Sequence, residues 1–200
     1  MYWGWIVTPA FLGWRGNRPD ANFYGPGSQS YSMTGLAKDE GNWITSGGAT
    51  AQGSNTKLND AVTSVFDLVF TGAMDRFPKL KFVLVENEVG WIAFVTHQWD
   101  RYVRRFGPKR PIPISELPSF YVNRQVYSTF IDDLPGGAVI PVWGEDNCMW
   151  SNDYPHAAST WPNSKTVIDH TLGHLAPEIF SKVVRGNVTK LYNLPAVTRL

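Results

Sequence analysis

The spacing of apolar residues divides the chain near position 57. Beyond it, Leu58, Val62, Val65, Phe66, Val69, Ala73 and Met74 recur at helical intervals, with Asn55 or Thr56 placed as a cap and Pro78 as a stop. Leu80–Val85 is a continuous β-branched and apolar run, the pattern of a strand buried on both faces, and it ends at Glu86-Asn87-Glu88. Trp91, Ile92, Val95, Trp99, Tyr102 and Val103 predict one face of a helix from Val89 to about Phe106. Arg101, Arg104 and Arg105 fall in its last turns, where cations suit the helix dipole. Residues 108–119 read as a Pro-rich loop with a helical turn near Ser115-Glu116-Leu117. Gln125–Ile131 and Asn147–Ser151 are the next strands, joined by a short Gly-broken connection at 134–144. Helices are predicted at Ser164–Leu172, Ala176–Val184 and Asn187–Tyr192.

Residues 1–57 behave differently. Gly4, Pro9, Gly13 and Gly16 interrupt any period among the early Trp and Phe residues, and turn-forming residues follow. This segment reads as an irregular N-terminal arm with a short strand at 43–46. The Gly-rich stretch after Trp43-Ile44-Thr45 matches no phosphate-binding motif, so a nucleotide site is not expected.

Strands alternating with helices predict an α/β fold with a parallel sheet and right-handed crossovers. Composition narrows the function. A net charge of +1 gives no electrostatic case for nucleic acid or an anionic membrane, and no apolar run is long enough to span a bilayer. A single cysteine, Cys148, excludes an internal disulfide framework and fits a reducing, cytoplasmic setting. The 9 tryptophans suit ring stacking on a ligand, but equally a packed core or a subunit interface.

The strand termini carry the candidate chemistry. Glu86, the pair Asp132-Asp133, and Asp153 each follow a predicted strand, and in parallel βα units these ends share one face. Converging carboxylates suit acid–base work or a divalent cation. Helix capping explains Asp132 and Asp133 more simply. His156, three residues past Asp153, faces the same rim on this reading, while Trp150 and Trp161 flank the loop as pocket walls or packing. His170 and His174 have i, i+4 spacing but lack a His-Glu-x-x-His motif, and His97 lies mid-helix, so none is expected at the site. Arg124 is placed at the opposite end, in a salt bridge.

The ordered pieces Arg76-Phe77-Pro78-Lys79-Leu80-Lys81, Glu86-Asn87-Glu88-Val89-Gly90-Trp91-Ile92, Arg124-Gln125-Val126-Tyr127, Phe130-Ile131-Asp132-Asp133, Asn147 through His156 and Ser159-Thr160-Trp161-Pro162 resemble the amidohydrolase-related family. That group includes aminocarboxymuconate-semialdehyde decarboxylase and resorcylate-type decarboxylases. Asn187 with Leu191-Tyr192 matches its C-terminal signature. The resemblance implies a (β/α)8 barrel with its site at the strand C-termini. It also implies a divalent metal, zinc first among them, held by a His-x-His pair, a further His, and an Asp that Asp153 matches. Glu86 takes the place of a catalytic His in decarboxylase-type members.

This chain contains no His-x-His, and its strands match only the C-terminal half of such a barrel, residues 58–200. The expected fold is therefore an incomplete (β/α)8 TIM barrel. The expected function is metal-dependent hydrolysis or decarboxylation of a small carboxylate or aromatic acid. Asp153 and Glu86 would be the catalytic pair, Asp153 the metal ligand, and His156, Trp150 and Trp161 the substrate contacts. A truncated, non-catalytic relative is the competing reading, and an aromatic-rich binding module ranks third. Open strand edges make self-association into a homo-oligomer the expected partnership.

Overall fold

The computed structural model describes Gly4–Val7, residues 51–156 and residues 159–195, with side chains from Lys57 onward. In chain order the elements are β1 (Gly4–Val7), α1 (Ala51–Phe70), α2 (Ala73–Arg76), β2 (Lys81–Leu84), α3 (Gly90–Phe106), α4 (Pro118–Gln125), β3 (Val126–Phe130), α5 (Leu134–Val139), β4 (Cys148–Trp150), α6 (Ser164–Leu172), α7 (Pro177–Ser181) and α8 (Asn187–Tyr192). A 3-10 turn, Gly107–Lys109, closes α3, and a π-helical turn, Lys182–Gly186, links α7 to α8.

The four strands form one sheet in the order β1-β2-β3-β4, all parallel. Registers such as Phe82↔Val126 and Ser128↔Cys148 fix β2, β3 and β4 so that their C-terminal ends point the same way. Helices cross between consecutive strands, as in part of a (β/α)8 barrel. Phe82, Val83, Leu84, Val126, Phe130, Cys148 and Met149 are buried, so the sheet is covered on both faces, as the unbroken apolar runs predict. Ala61, Val65, Val69, Met74, Ile92, Tyr121, Leu172 and Val183 pack onto it from the helices.

Several boundaries differ from the sequence reading. Gly4–Val7, read as irregular, pairs with Lys81–Leu84. Four residues held by a neighbouring strand need no period of their own, so the pattern had nothing to detect. The rest of the arm up to residue 50, including the strand expected at 43–46, lies outside the described residues. Helix α1 begins at Ala51 rather than Leu58, which places Asn55 and Thr56 inside it instead of at its cap. Its first two turns are polar and carry no apolar period. It stops at Phe70, not at Pro78, because Gly72 turns the backbone left-handed (φ 71°) before α2. A Cβ at Gly72 would also lie 2.2 Å from the Pro113 carbonyl oxygen.

The sequence reads through α4 as loop running into strand, where the structure has a helix. Pro118 sits in its first turn, where the missing N–H costs nothing. Asp100 of α3 accepts from the Ser119 N–H at 2.9 Å and from its hydroxyl at 2.8 Å, a cap supplied from 19 residues away. Among the described residues Arg124 is in no salt bridge. It donates to the Met74 carbonyl at 2.8 Å and to Gln125 Oε1, and stacks over Phe120 and Tyr121. The backbone carbonyl exposed by the end of α2 is the acceptor it meets there.

Candidate active site

The rim is built by the turns that follow β2, β3 and β4. Glu86, Glu88 and Asp153 all hold left-handed backbone, with φ of 58°, 54° and 55°. Such conformations cost side-chain-bearing residues roughly 1–3 kcal/mol each and persist only where surrounding contacts fix them. Those contacts are present here. The Glu86 N–H donates to Thr129 Oγ1 at 2.8 Å, and the Ser128 hydroxyl donates to the Glu88 carbonyl at 3.1 Å. The Ile131 N–H donates to Glu88 Oε2 at 3.3 Å. Buried Asn87 donates to the Val85 carbonyl at 2.8 Å, closing the same turn from within.

Glu86 and Asp153 meet at this rim. Partial burial first, then a hydrogen bond and charge repulsion from Asp153, raise the Glu86 pKa above the usual carboxylate range; Lys57 and His156 partly offset this. Two carboxyl groups in hydrogen-bonding reach repel each other when charged, which is why Glu86 holds its proton more tightly than a free carboxyl group. The Asp153 side chain is only 10% exposed, and its Oδ2 lies 2.8 Å from His156 Nδ1, whereas His156 itself is 68% exposed. The imidazole is thus held at the open side of the pair. Lys57 of α1 reaches the same place, with Nζ 3.9 Å from Glu86 Oε2. Glu88 is pushed up to about 6, mainly by burial, with Asp133 and Asp132 adding repulsion against the Ile131 N–H and Lys57.

Asp133 serves the scaffold. Its Oδ2 accepts the Val89 and Gly90 N–H groups at 2.7 Å each, and its Oδ1 accepts the Gly136 N–H at 2.7 Å. It therefore caps α3 and α5 together, as the capping interpretation predicts. Asp132 is exposed and, among the described residues, is met by the Thr171 hydroxyl at a long 3.5 Å. Trp150 is half-buried, and its indole N–H donates to the Ile131 carbonyl at 3.0 Å, which ties β4 to the turn after β3. Trp161 is 63% exposed and meets Tyr154 edge-to-face at 6.1 Å, so this ring pair stands beside the Asp153 loop. His97 and His170 are exposed, and His174 contacts the Gly137 carbonyl; none approaches the rim pair. Cys148 is fully buried, and burial raises its thiol pKa well above the usual range, as expected of a packing residue.

Three rim residues were not singled out from the sequence. Glu88 was visible as the second acid of Glu86-Asn87-Glu88, and alternation along a strand would put it on the same face as Glu86, but its place in the turn beyond β2 depends on left-handed backbone that the apolar pattern does not mark. Tyr154 stood inside the matched motif without a role. Lys57 gave no signal, because the helix that carries it to the rim starts seven residues earlier than its pattern showed.

Comparison with known proteins rests on the same region. The family model described as Amidohydrolase matches residues 33–194. The chain belongs to the amidohydrolase family. No curated protein matches this amidohydrolase chain. Among solved structures it is similar to 5-carboxyvanillate decarboxylase from Sphingomonas paucimobilis, with a TM-score of 0.60, 20% identity, and coverage of 80% of this chain and 46% of that one. It is also similar to a dihydroxybenzoic acid decarboxylase from a Polaromonas species, solved with bound manganese and the inhibitor 2-nitroresorcinol. There the TM-score is 0.56 at 18% identity, over 86% of this chain and 47% of that one. An amidohydrolase from Mycobacterium avium subsp. paratuberculosis aligns with a TM-score of 0.59 at 19% identity, over 82% and 40%. The chain thus spans under half the length of these amidohydrolases, and its parallel sheet is part of their barrel.

Proposed function

We propose that this amidohydrolase chain supplies the acid–base half of a site that decarboxylates or hydrolyses a small aromatic acid with the help of a divalent metal. The single observation that carries this reading is the meeting of Glu86 and Asp153, from the non-adjacent strands β2 and β4, with the Glu86 pKa raised. Loss of carbon dioxide from an aromatic ring requires a proton delivered to the ring carbon. Hydrolysis requires one removed from water. Glu86, which holds its proton above the usual carboxylate range, is the donor in this scheme, and Asp153 is the acceptor. His156 orients Asp153 through their 2.8 Å contact and passes protons to solvent. Trp161 and Tyr154 offer ring faces to the substrate.

The metal is a separate question of fit. Among the described residues there is no group of three or more His, Cys, Asp and Glu side chains placed to hold an ion. Asp153 offers one ligand and Glu86 a second, short of the three that a catalytic zinc site takes from protein. The described residues therefore do not complete a zinc site by themselves. Zinc is the ion expected from the family resemblance. The oxygen-only pair, and the manganese in the Polaromonas relative, favour a harder cation.

The test pairs metal analysis with turnover of a panel of hydroxylated benzoates, followed by release of carbon dioxide. Asp153→Asn is expected to lower turnover by about 100-fold or more, and Glu86→Gln to remove the fall in rate as pH rises through the raised Glu86 pKa. A folded wild-type chain that takes up neither manganese nor zinc and turns over none of the panel would leave the truncated, non-catalytic relative as the correct reading.

A further inference from the structure

We propose that Lys57 receives the carboxylate of the incoming acid at this rim and so sets a preference for aromatic acids over the same rings without the acid group. The inference rests on the function proposed above. Lys57 lies in the first half of α1, with its side chain 43% exposed and Nζ 3.9 Å from Glu86 Oε2. That is an ion-pair distance but too long for a hydrogen bond, so the three ammonium donors are not committed to Glu86. The charge of Lys57 acts on both Glu86 and Glu88, which puts it within reach of the two carboxyl groups that follow β2.

The surroundings make such a cation necessary. Glu86, Glu88 and Asp153 share the rim, and Asp132 and Asp133 add their charge at Glu88. An approaching carboxylate meets repulsion from those of them that are ionised. His156 is engaged with Asp153. Lys57 is half-exposed, and a lysine head on a flexible four-carbon stem can swing from a loose pairing with Glu86 to a direct one with substrate. A fixed, fully bonded cation would lack that freedom.

The probes are 2,6-dihydroxybenzoate and resorcinol, which share a ring and differ by the carboxylate. Each is titrated calorimetrically into the full chain in manganese-containing buffer. Lys57→Met, with Lys57→Gln as a second variant, is expected to weaken the acid about ten-fold and leave resorcinol unchanged, and Lys57→Arg is expected to restore the acid. Equal weakening of both probes, or no change in either, overturns the role of Lys57 while leaving the proposed function standing. A wild-type chain that binds neither probe overturns the aromatic-acid reading and this inference together.

Discussion

Glu88 shows how partial burial of one side chain at this rim ties stability to pH. In the unfolded chain its carboxyl group titrates near 4.5, and in the fold burial pushes it up to about 6. Between those values the folded state binds more protons than the unfolded state, so stability falls as pH rises through that window and levels off above it. Glu88→Gln is expected to flatten this part of the curve, measured as denaturant unfolding free energy from pH 4 to pH 7 in roughly half-unit steps. An unchanged slope in the variant would place the titration elsewhere. Residue-level chemistry was legible where a motif fixed it. Asp153 and His156 lie three positions apart in a turn, and the turn alone brings them to 2.8 Å. Lys57 depends on how far a helix extends upstream, and Glu88 on two left-handed backbone positions that apolar spacing does not encode.

Among the elements, α3 and α5 are locked by one carboxylate. Asp133 satisfies two N–H groups at the start of α3 and one at the start of α5, so Asp133→Ala would leave three amides without their acceptor. A loss of roughly 3 kcal/mol or more is expected, against under about 0.5 kcal/mol for Asp132→Ala next to it, both read by chemical denaturation. Similar losses in the two variants would mean that water replaces Asp133 as the cap. The C-terminal helices are tied down in the same manner. Asn187 donates to the Glu145 and Cys148 carbonyls at 2.9 and 2.7 Å, which gives the family-like Asn a structural reason to stand at the start of α8. Strands β2, β3 and β4 and helices α3 and α6 were readable because long apolar runs and uniform periods mark them. Helix α4 was not, because its start is capped by Asp100 of another helix and its sequence opens among prolines.

The molecule as a whole presents a parallel sheet with β1 at one edge and β4 at the other, and among the described residues neither outer edge has a further partner strand. Unpaired parallel edges invite pairing with another chain. Self-association is therefore expected, seen as elution ahead of a 22.4 kDa monomer in size-exclusion chromatography with light scattering. A clean monomer would mean that the chain covers its own edges. The fold class followed directly from alternating strands and helices, and the partial barrel from the family resemblance taken with the absent His-x-His and the missing strand patterns. What covers the edges has no signature, because edge pairing is set by backbone groups common to every sequence.

The backbone angles at Glu86, Glu88 and Asp153 have one more consequence. Glycine would sit at any of the three without steric penalty, and at Glu88 it would also remove a half-buried acid. Directed evolution that selects this protein for heat tolerance alone should accumulate glycines there, yielding hardier variants that have lost their reactive groups.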